Sequence, residues 1–80
     1  MMPITREQCR GARGMLGWSR DKLAHEANVA KRTIVDFEND KRKTQSSSIL
    51  ALKVAFENAG IEFLDPTNGG PGVRLKKKVG

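Results

Sequence analysis

The segment between Leu23 and Asn39 constrains the fold more than any other part of the chain. It contains two short stretches with the apolar periodicity of a helix, the first ending at Ala27 and the second beginning at about Ala30. Asn28 separates them, and asparagine tolerates the left-handed backbone that a sharp turn between helices requires. The sequence therefore predicts two short helices joined by a tight turn, which is the helix-turn-helix arrangement.

The helix that precedes this pair is predicted from its capping residues. Thr5 and Gln8 form a T-x-x-Q capping box, and Gly17 is placed to end the helix. Two glycines in the interior, Gly11 and Gly14, each cost about 1 kcal/mol relative to alanine. The first helix is expected between Thr5 and Gly17 in spite of these two residues.

The third helix, predicted from about residue 30 to 39, presents cations at its start. Ser19 is a suitable N-cap for the second helix, and Ile34 and Phe37 face inward from the third. The outward-facing residues of the third helix are expected to be Lys31, Arg32, Val35 and Asp36. Because cations are unfavourable at the positive end of a helix dipole, Lys31 and Arg32 are better explained by an anionic partner than by solvation alone.

The fourth predicted helix, about residues 46 to 59, has two apolar sides and is stopped by Gly60. Its main apolar face comprises Ile49, Leu52, Phe56 and Ala59. Leu50 and Val54 form a second stripe that points in roughly the opposite direction. A helix with two apolar sides requires two partners.

The C-terminal part of the chain predicts a loose β-hairpin. Residues 61 to 64 and 73 to 77 have strand patterns, and residues 65 to 72 between them are rich in turn-forming residues. An isolated two-stranded hairpin is marginal in water, so it must pack on the fourth helix, pair with another subunit or fray. Lys76 to Lys78 form a basic tail. The sequence is consistent with two interpretations of this tail, a frayed end and a nonspecific DNA-binding arm.

Composition favours a polyanionic partner and argues against several other classes. The net charge is +6 and the isoelectric point is about 10.0, and such a charge raises affinity for polyanions. One cysteine, Cys9, and one histidine, His25, are too few for a disulfide or an ordinary zinc site. With no Ser/His/acid set and too small a body for a substrate pocket, we expect neither enzymatic activity nor a cofactor. The absence of a long apolar run predicts no membrane span and a cytoplasmic protein.

The chain resembles the lambda-repressor-like, or Xre-type, helix-turn-helix family. The resemblance covers roughly residues 5 to 60. Its motifs are A-R-x-x-L at 12–16, S-R-D-K-L-A at 19–24 and V-A-K-R-T-I-x-x-F-E-N at 29–39. Asn28 and Asp40 depart from the pattern at positions where the family commonly has glycine, but both residue types tolerate the left-handed conformation.

The resemblance implies a mainly α fold with a four-helix helix-turn-helix domain at residues 1–60. The strand patterns add a short C-terminal β-hairpin or strand in an extension at 61–80. It implies DNA base contacts by Lys31, Arg32, Val35 and Asp36. For Asp36, cytosine contact, rejection of wrong sequences and surface solvation all remain open. The implied phosphate contacts are Arg20, Thr33, Asn39, Lys41 and Lys43, with the whole loop 41–43 lying beside the DNA groove. Arg13 and Glu38 match a pair that usually forms a structural salt bridge.

These features predict a sequence-specific double-stranded DNA-binding transcriptional regulator with residues 30–39 in the major groove. One recognition helix contacts few base pairs, so a homodimer on an inverted repeat is expected. The expected dimerisation residues are Leu50, Val54, Ile61, Phe63, Val73 and Leu75, because no intramolecular partner is evident for them. The alternative is a protein-interaction module, an antitoxin or antiactivator, that uses the same fold to bind a protein partner.

Overall fold

Four α-helices and one antiparallel β-hairpin follow one another along the chain. The computed structural model describes residues 3–67 and 70–76. The elements are α1 (Arg6–Leu16), α2 (Arg20–Ala27), α3 (Lys31–Asn39), α4 (Ser46–Asn58), β1 (Ile61–Thr67) and β2 (Gly70–Leu75). The predicted fold class, mainly helical with a short C-terminal hairpin, is confirmed.

The first two helices begin at the capping residues that the sequence predicts. The Thr5 hydroxyl accepts a hydrogen bond from the Gln8 backbone N–H at 3.1 Å, and the Gln8 side chain accepts one from the Thr5 N–H at 2.8 Å. Ser19 Oγ accepts from the Lys22 N–H at 3.0 Å. Gly17 ends α1 in the left-handed conformation, with φ of 67°. Local hydrogen bonding by short polar side chains therefore sets these helix boundaries.

The turns on either side of α3 both use a left-handed residue that is not glycine. Asn28 has φ of 55° and Asp40 has φ of 56°. The first turn is closed by a hydrogen bond from the Val29 N–H to the Ala24 carbonyl at 3.1 Å. These residues end α2 and α3 sharply, so α3 is held as a short helix between two tight turns.

The core lies between the helices and the hairpin. Trp18 stacks on Phe56 with ring centroids 5.8 Å apart, and Phe63 meets the Phe56 ring edge-on at 6.0 Å. Both arrangements are favourable for aromatic pairs. The stack connects the turn between α1 and α2 to α4 and β1. The buried apolar residues are Ile4, Cys9, Ala12, Leu23, Ile34, Leu52, Ala55, Phe56 and Ile61.

The hairpin is longer than the sequence predicts. Its register pairs Ile61 with Leu75 and Leu64 with Gly72, and pairing resumes at Thr67 with Gly70. Two residues of β1 and one of β2 lie between the last two pairs, which is a β-bulge. Proline cannot donate to the strand ladder, and Pro66 falls in this irregularity. Residues 65–67 and 70–72, which the sequence predicts as turn, belong to the two strands.

The hairpin packs against two helices of the same chain. β2 lies on α1 and β1 lies on α4. The Gln8 amide donates hydrogen bonds to the carbonyls of Gly72 at 2.7 Å and Leu64 at 3.3 Å. A Cβ atom at Gly11 would lie 3.1 Å from Val73 Cγ1, so the glycine permits the close approach of β2 to α1.

This packing corrects the expectation that six apolar residues lack an intramolecular partner. Ile61 has 0% exposure and belongs to the core. Phe63 and Val73 are partly buried against that core. The expectation was wrong for these three residues because strand periodicity does not specify which helix covers a face. Leu50, Val54 and Leu75 remain exposed.

Two further sequence predictions concern membranes and the chain end. Within residues 3–67 and 70–76, none of the helices combines the length and the hydrophobicity that a membrane span needs. Lys76 lies just beyond β2, whereas the rest of the predicted basic tail falls outside the described residues.

Candidate nucleic-acid interface

The start of α3 is an exposed, positively charged helix terminus. Its N-cap residue, Ala30, offers no capping side chain, and no acidic residue lies in the first turn. Lys31 and Arg32 occupy the first two helical positions, and the Arg32 side chain is 80% exposed. The two charges and the open end of the helix dipole therefore face solvent together.

The other predicted contact residues near this terminus are less exposed. Thr33 and Val35 are partly buried.

Lys31 Nζ lies 3.2 Å from Asp21 Oδ1, but both side chains are exposed. An exposed ion pair of this kind contributes little stability, so Lys31 can exchange this partner for another anion.

Asp36 is buried, which corrects the expectation that it faces outward with Lys31 and Arg32. The residue is 7% exposed. Its Oδ1 lies 3.5 Å from Arg32 Nε, and its Oδ2 lies 3.7 Å from Arg42 Nε. Because the chain turns back at Asp40, the loop after α3 covers the carboxylate, which a helical periodicity count cannot show.

A cleft on this surface brings four of the nine predicted base and phosphate contacts together, and its lining does not include the other five, Lys31, Val35, Arg20, Asn39 and Lys41. It has a volume of about 370 Å³. We call it the basic cleft; its walls include Arg32, Thr33 and Asp36 from α3, Arg42 and Lys43 from the loop, and Ser48 from α4. Three cations and one carboxylate line it, so the cleft is net positive and suits a polyanion.

The loop between α3 and α4 supplies most of the remaining charge. Lys41, Lys43 and Asn39 are exposed. In the part of the chain that the structure describes, Lys41 and Lys43 form no ion pair within 4.0 Å. Arg42, which the sequence presents only as one member of a basic run, lines the cleft opposite Arg32. In the sequence, the position of Arg42 between two lysines is the only indication that it belongs to the site.

A buried network of ionised side chains supports the α3 surface from behind. Glu38 has 0% exposure. Arg13 donates to its two carboxylate oxygens at 2.8 and 2.9 Å, which confirms the predicted structural salt bridge. Arg20 Nε donates to Oε1 at 2.9 Å, and Cys9 Sγ donates to Oε2 at 3.2 Å. The network ties α1 and α2 to α3.

The network has opposite effects on the pKa values of its two acids. Burial alone would raise the pKa of Glu38, but the hydrogen bonds from Arg13, Cys9 and Arg20 together lower it below its usual range. Burial, and then the hydrogen bond to Glu38, raises the pKa of the Cys9 thiol far above its usual range. Cys9 is therefore a neutral donor in the core.

Arg20 is the one predicted phosphate contact that belongs to this network. Its side chain is 37% exposed and its Nε is used by Glu38. Within the described residues, the other two guanidinium nitrogens of Arg20 make no hydrogen bond. The residue lies at the start of α2, where the helix terminus also favours anions.

The residues predicted for dimerisation divide into exposed and buried sets. Leu50 is 52% exposed and Val54 is 44% exposed. They line an apolar groove of about 390 Å³ between α2 and α4, together with Ala27, Ala51 and Ala55. Leu75 is exposed on β2, whereas Ile61, Phe63 and Val73 serve the core.

Comparison with known proteins adds no family assignment. No family model matches the chain, and no curated protein matches it. Among the residues that the structure describes, no group of three or more His, Cys, Asp or Glu side chains is placed to hold a metal ion. The basic cleft and the α3 terminus are therefore the features on which a functional proposal rests.

Proposed function

We propose that this protein is a sequence-specific double-stranded DNA-binding transcriptional regulator of the lambda-repressor-like type. The observation that carries the proposal is the start of α3, where two cations are exposed at an uncapped helix terminus beside the basic cleft. We place the protein in the cytoplasm, with double-stranded DNA as its partner.

The dimensions of α3 suit the major groove of B-form DNA. An α-helix with its side chains is about 10–12 Å in diameter, and the major groove is about 12 Å wide, so the nine-residue α3 can lie within it. The helix is braced from behind by the Glu38 network and fixed at both ends by left-handed turns. A short braced helix can enter the groove without ordering costs that a flexible segment would incur.

Different parts of the surface would make different contacts. Arg32 has the geometry for two hydrogen bonds to guanine, whereas Lys31 is a less selective donor. Lys41 and Lys43 lie in the adjoining loop, where they would contact phosphates. Arg20, Thr33 and Asn39 would add contacts to the backbone, and Val35 would contact bases by apolar packing.

A homodimer would supply the affinity that one helix lacks. One such helix contacts only a few base pairs, and a second copy one helical turn away doubles the contact. The apolar groove of Leu50 and Val54 is our candidate dimer surface, with Leu75 as a further exposed residue. An inverted-repeat operator is the expected target.

The test compares three single-charge variants on two kinds of duplex: the preferred duplex, which the wild-type protein selects from a random-sequence pool, and random duplexes. We expect Arg32→Ala to weaken binding to the preferred duplex by about 10- to 100-fold more than binding to random DNA, because a bidentate base contact is lost. Lys43→Ala should weaken both alike and reduce the log-log salt slope by about one. Mobility-shift titrations at several salt concentrations measure both effects.

Arg74→Ala is the matched control, because Arg74 is an exposed arginine on β2, paired with Glu62 and absent from the basic cleft. It should change neither the sequence preference nor the salt slope appreciably. Equal losses on both duplexes for Arg32→Ala would remove Arg32 from the base contacts. Failure of the wild-type protein to bind any duplex at low salt would overturn the proposed function.

The exposed apolar groove favours a second candidate, a protein-interaction module such as an antitoxin or antiactivator. Leu50 and Val54 would then contact a different protein. Binding through apolar side chains depends weakly on salt, whereas DNA binding weakens steeply as salt rises. The salt slope therefore separates the two candidates.

A further inference from the structure

Asp36 lies between two arginines that come from different parts of the chain. Its carboxylate oxygens lie 3.5 Å from Arg32 Nε and 3.7 Å from Arg42 Nε. The Asp36 side chain is 10% exposed, while those of Arg32 and Arg42 are 80% and 73% exposed. The carboxylate thus forms the floor of the basic cleft, and the two guanidinium groups project from it.

The loop is attached to α3 at this residue by its backbone as well. The Lys41 N–H donates a hydrogen bond to the Asp36 carbonyl at 3.0 Å. An exposed arginine without a partner samples many rotamers, and ordering it on binding costs entropy. The shared carboxylate attracts both guanidinium groups and so biases their rotamers before DNA arrives. Because it is mostly buried, solvent screens its charge less than that of a surface carboxylate.

We propose that Asp36 is a positioning residue that holds Arg32 and Arg42 as one two-guanidinium unit. This inference rests on the proposed function, with Arg32 directed to a base pair and Arg42 to a phosphate. Arg42 belongs to the loop after α3, and it shares Asp36 with Arg32. The preference of Arg32 for one base pair therefore depends on how this loop packs against α3. Arg42 therefore affects specificity, unlike Lys43, whose charge acts on all sequences alike.

The same geometry argues against direct base contact by Asp36. Each carboxylate oxygen faces a guanidinium, and the residue is 7% exposed. A cytosine amino group would have to displace one arginine to reach it. The negative charge instead lowers affinity for every phosphate backbone that enters the cleft.

The first test compares Asp36→Asn with Asp21→Asn on preferred and random duplexes. Loss of the Asp36 charge should raise affinity for random DNA by roughly fivefold. Affinity for the preferred duplex should stay unchanged, so the ratio of the preferred-duplex affinity to the random-DNA affinity should fall by about fivefold. Asp21 is an exposed carboxylate paired with Lys31 at 3.2 Å. Asp21→Asn should raise both affinities by the same factor and leave the ratio unchanged.

The second test measures whether Arg32 and Arg42 act together. In the wild-type background, the effects of Arg32→Ala and Arg42→Ala on the preferred duplex should be non-additive. In the Asp36→Asn background they should be additive, and Asp36→Glu should retain most of the coupling. If Asp36 only stabilised the fold, Asp36→Asn would leave the coupling between Arg32 and Arg42 unchanged. Circular dichroism melts show which variants are folded.

Arg42→Ala keeps the inference testable if Asp36→Asn does not fold. It should lower the preferred-to-random ratio about tenfold, whereas Lys43→Ala should leave that ratio unchanged. Equal losses on both duplexes for Arg42→Ala would overturn the inference.

Three outcomes separate the inference from the proposed function. A wild-type protein that binds no duplex overturns the proposed function and the inference with it. Preferential wild-type binding with an unchanged ratio in Asp36→Asn overturns the inference alone. A changed base preference at one position in Asp36→Asn would assign Asp36 to direct base contact and overturn its positioning role.

Discussion

Glu38 is the residue whose surroundings most affect stability. It is a fully buried carboxylate that accepts hydrogen bonds from Arg13, Arg20 and Cys9. A buried charge is tolerated only when it is paired and hydrogen-bonded, so each donor offsets part of the cost of burial. Removing the charge should leave the two arginines without their common acceptor.

Glu38→Gln should lower the free energy of unfolding by about 2–3 kcal/mol at neutral pH. The folded-state pKa of Glu38 is lowered, so its contribution is complete above the unfolded value and is lost as pH falls through the folded value. The difference between wild type and variant should therefore shrink as pH falls below about 4.5. Urea denaturation followed by circular dichroism at several pH values measures this difference.

Glu62→Gln is the control for this experiment. Glu62 lies on β1, and the hydrogen bond from Arg74 lowers its pKa as well. Because this pair is at the surface, its replacement should change stability little. A difference between wild type and Glu38→Gln that stays constant down to pH 3 would contradict the role given to the Glu38 charge.

Helix α1 contains two glycines with different surroundings. A Cβ atom at Gly14 would meet nothing within 4 Å, whereas one at Gly11 would lie 3.1 Å from Val73 Cγ1. Gly14→Ala should therefore stabilise the protein by about 0.5–1 kcal/mol through helix propensity. Gly11→Ala should be less stable than Gly14→Ala by at least about 1 kcal/mol, because it displaces β2.

Denaturant midpoints of the two variants test this difference directly. Each variant serves as the control for the other, since both make the same substitution in the same helix. Equal stabilisation by the two alanines would show that β2 moves away from α1 without cost. It would also mean that the hairpin is held mainly by Gln8 and the apolar core.

The helix boundaries could be predicted from the sequence because their causes are local. Thr5 and Gln8 are three residues apart, and Gly17 and Asn28 act through their own backbone conformations. The docking of the hairpin could not be predicted, because the Gln8 amide bonds carbonyls 56 and 64 residues away. Nothing in the local pattern distinguishes a Gln that caps a helix from one that also holds a strand.

The sequence predicts the candidate interface only in part, because some of its features have local causes and others depend on the path of the chain. Exposure of Lys31 and Arg32 follows from their position at the start of a helix. Burial of Asp36 depends on the path of the loop after Asp40, which brings Arg42 beside it. Helical periodicity gives the direction of a side chain but not which residues of a following loop will cover it.

At the scale of the whole molecule, the basic cleft and the apolar groove share no lining residue. Ser48 lines the cleft, while Leu50 and Val54 line the groove. A dimer that buries the groove therefore need not use any side chain that lines the cleft.

Leu50→Glu should weaken homodimer formation by at least about tenfold, because it places an unpaired charge in the proposed interface. Sedimentation velocity over a range of concentrations measures the change. Operator binding should lose cooperativity in the same variant, while binding to a half-site should be retained.

Met15→Glu provides the comparison, because Met15 is an exposed apolar residue on α1 with 48% exposure, close to that of Leu50 at 52%. It should leave the sedimentation behaviour unchanged. Similar sedimentation of Leu50→Glu and wild type would exclude the groove as the dimer surface.

The aromatic stack in the core has a practical consequence for experiments on this protein. Trp18 is the only tryptophan, and its indole ring stacks on Phe56. Its fluorescence emission therefore reports the integrity of the junction between α1, α2 and α4, and one optical signal follows the unfolding of that junction.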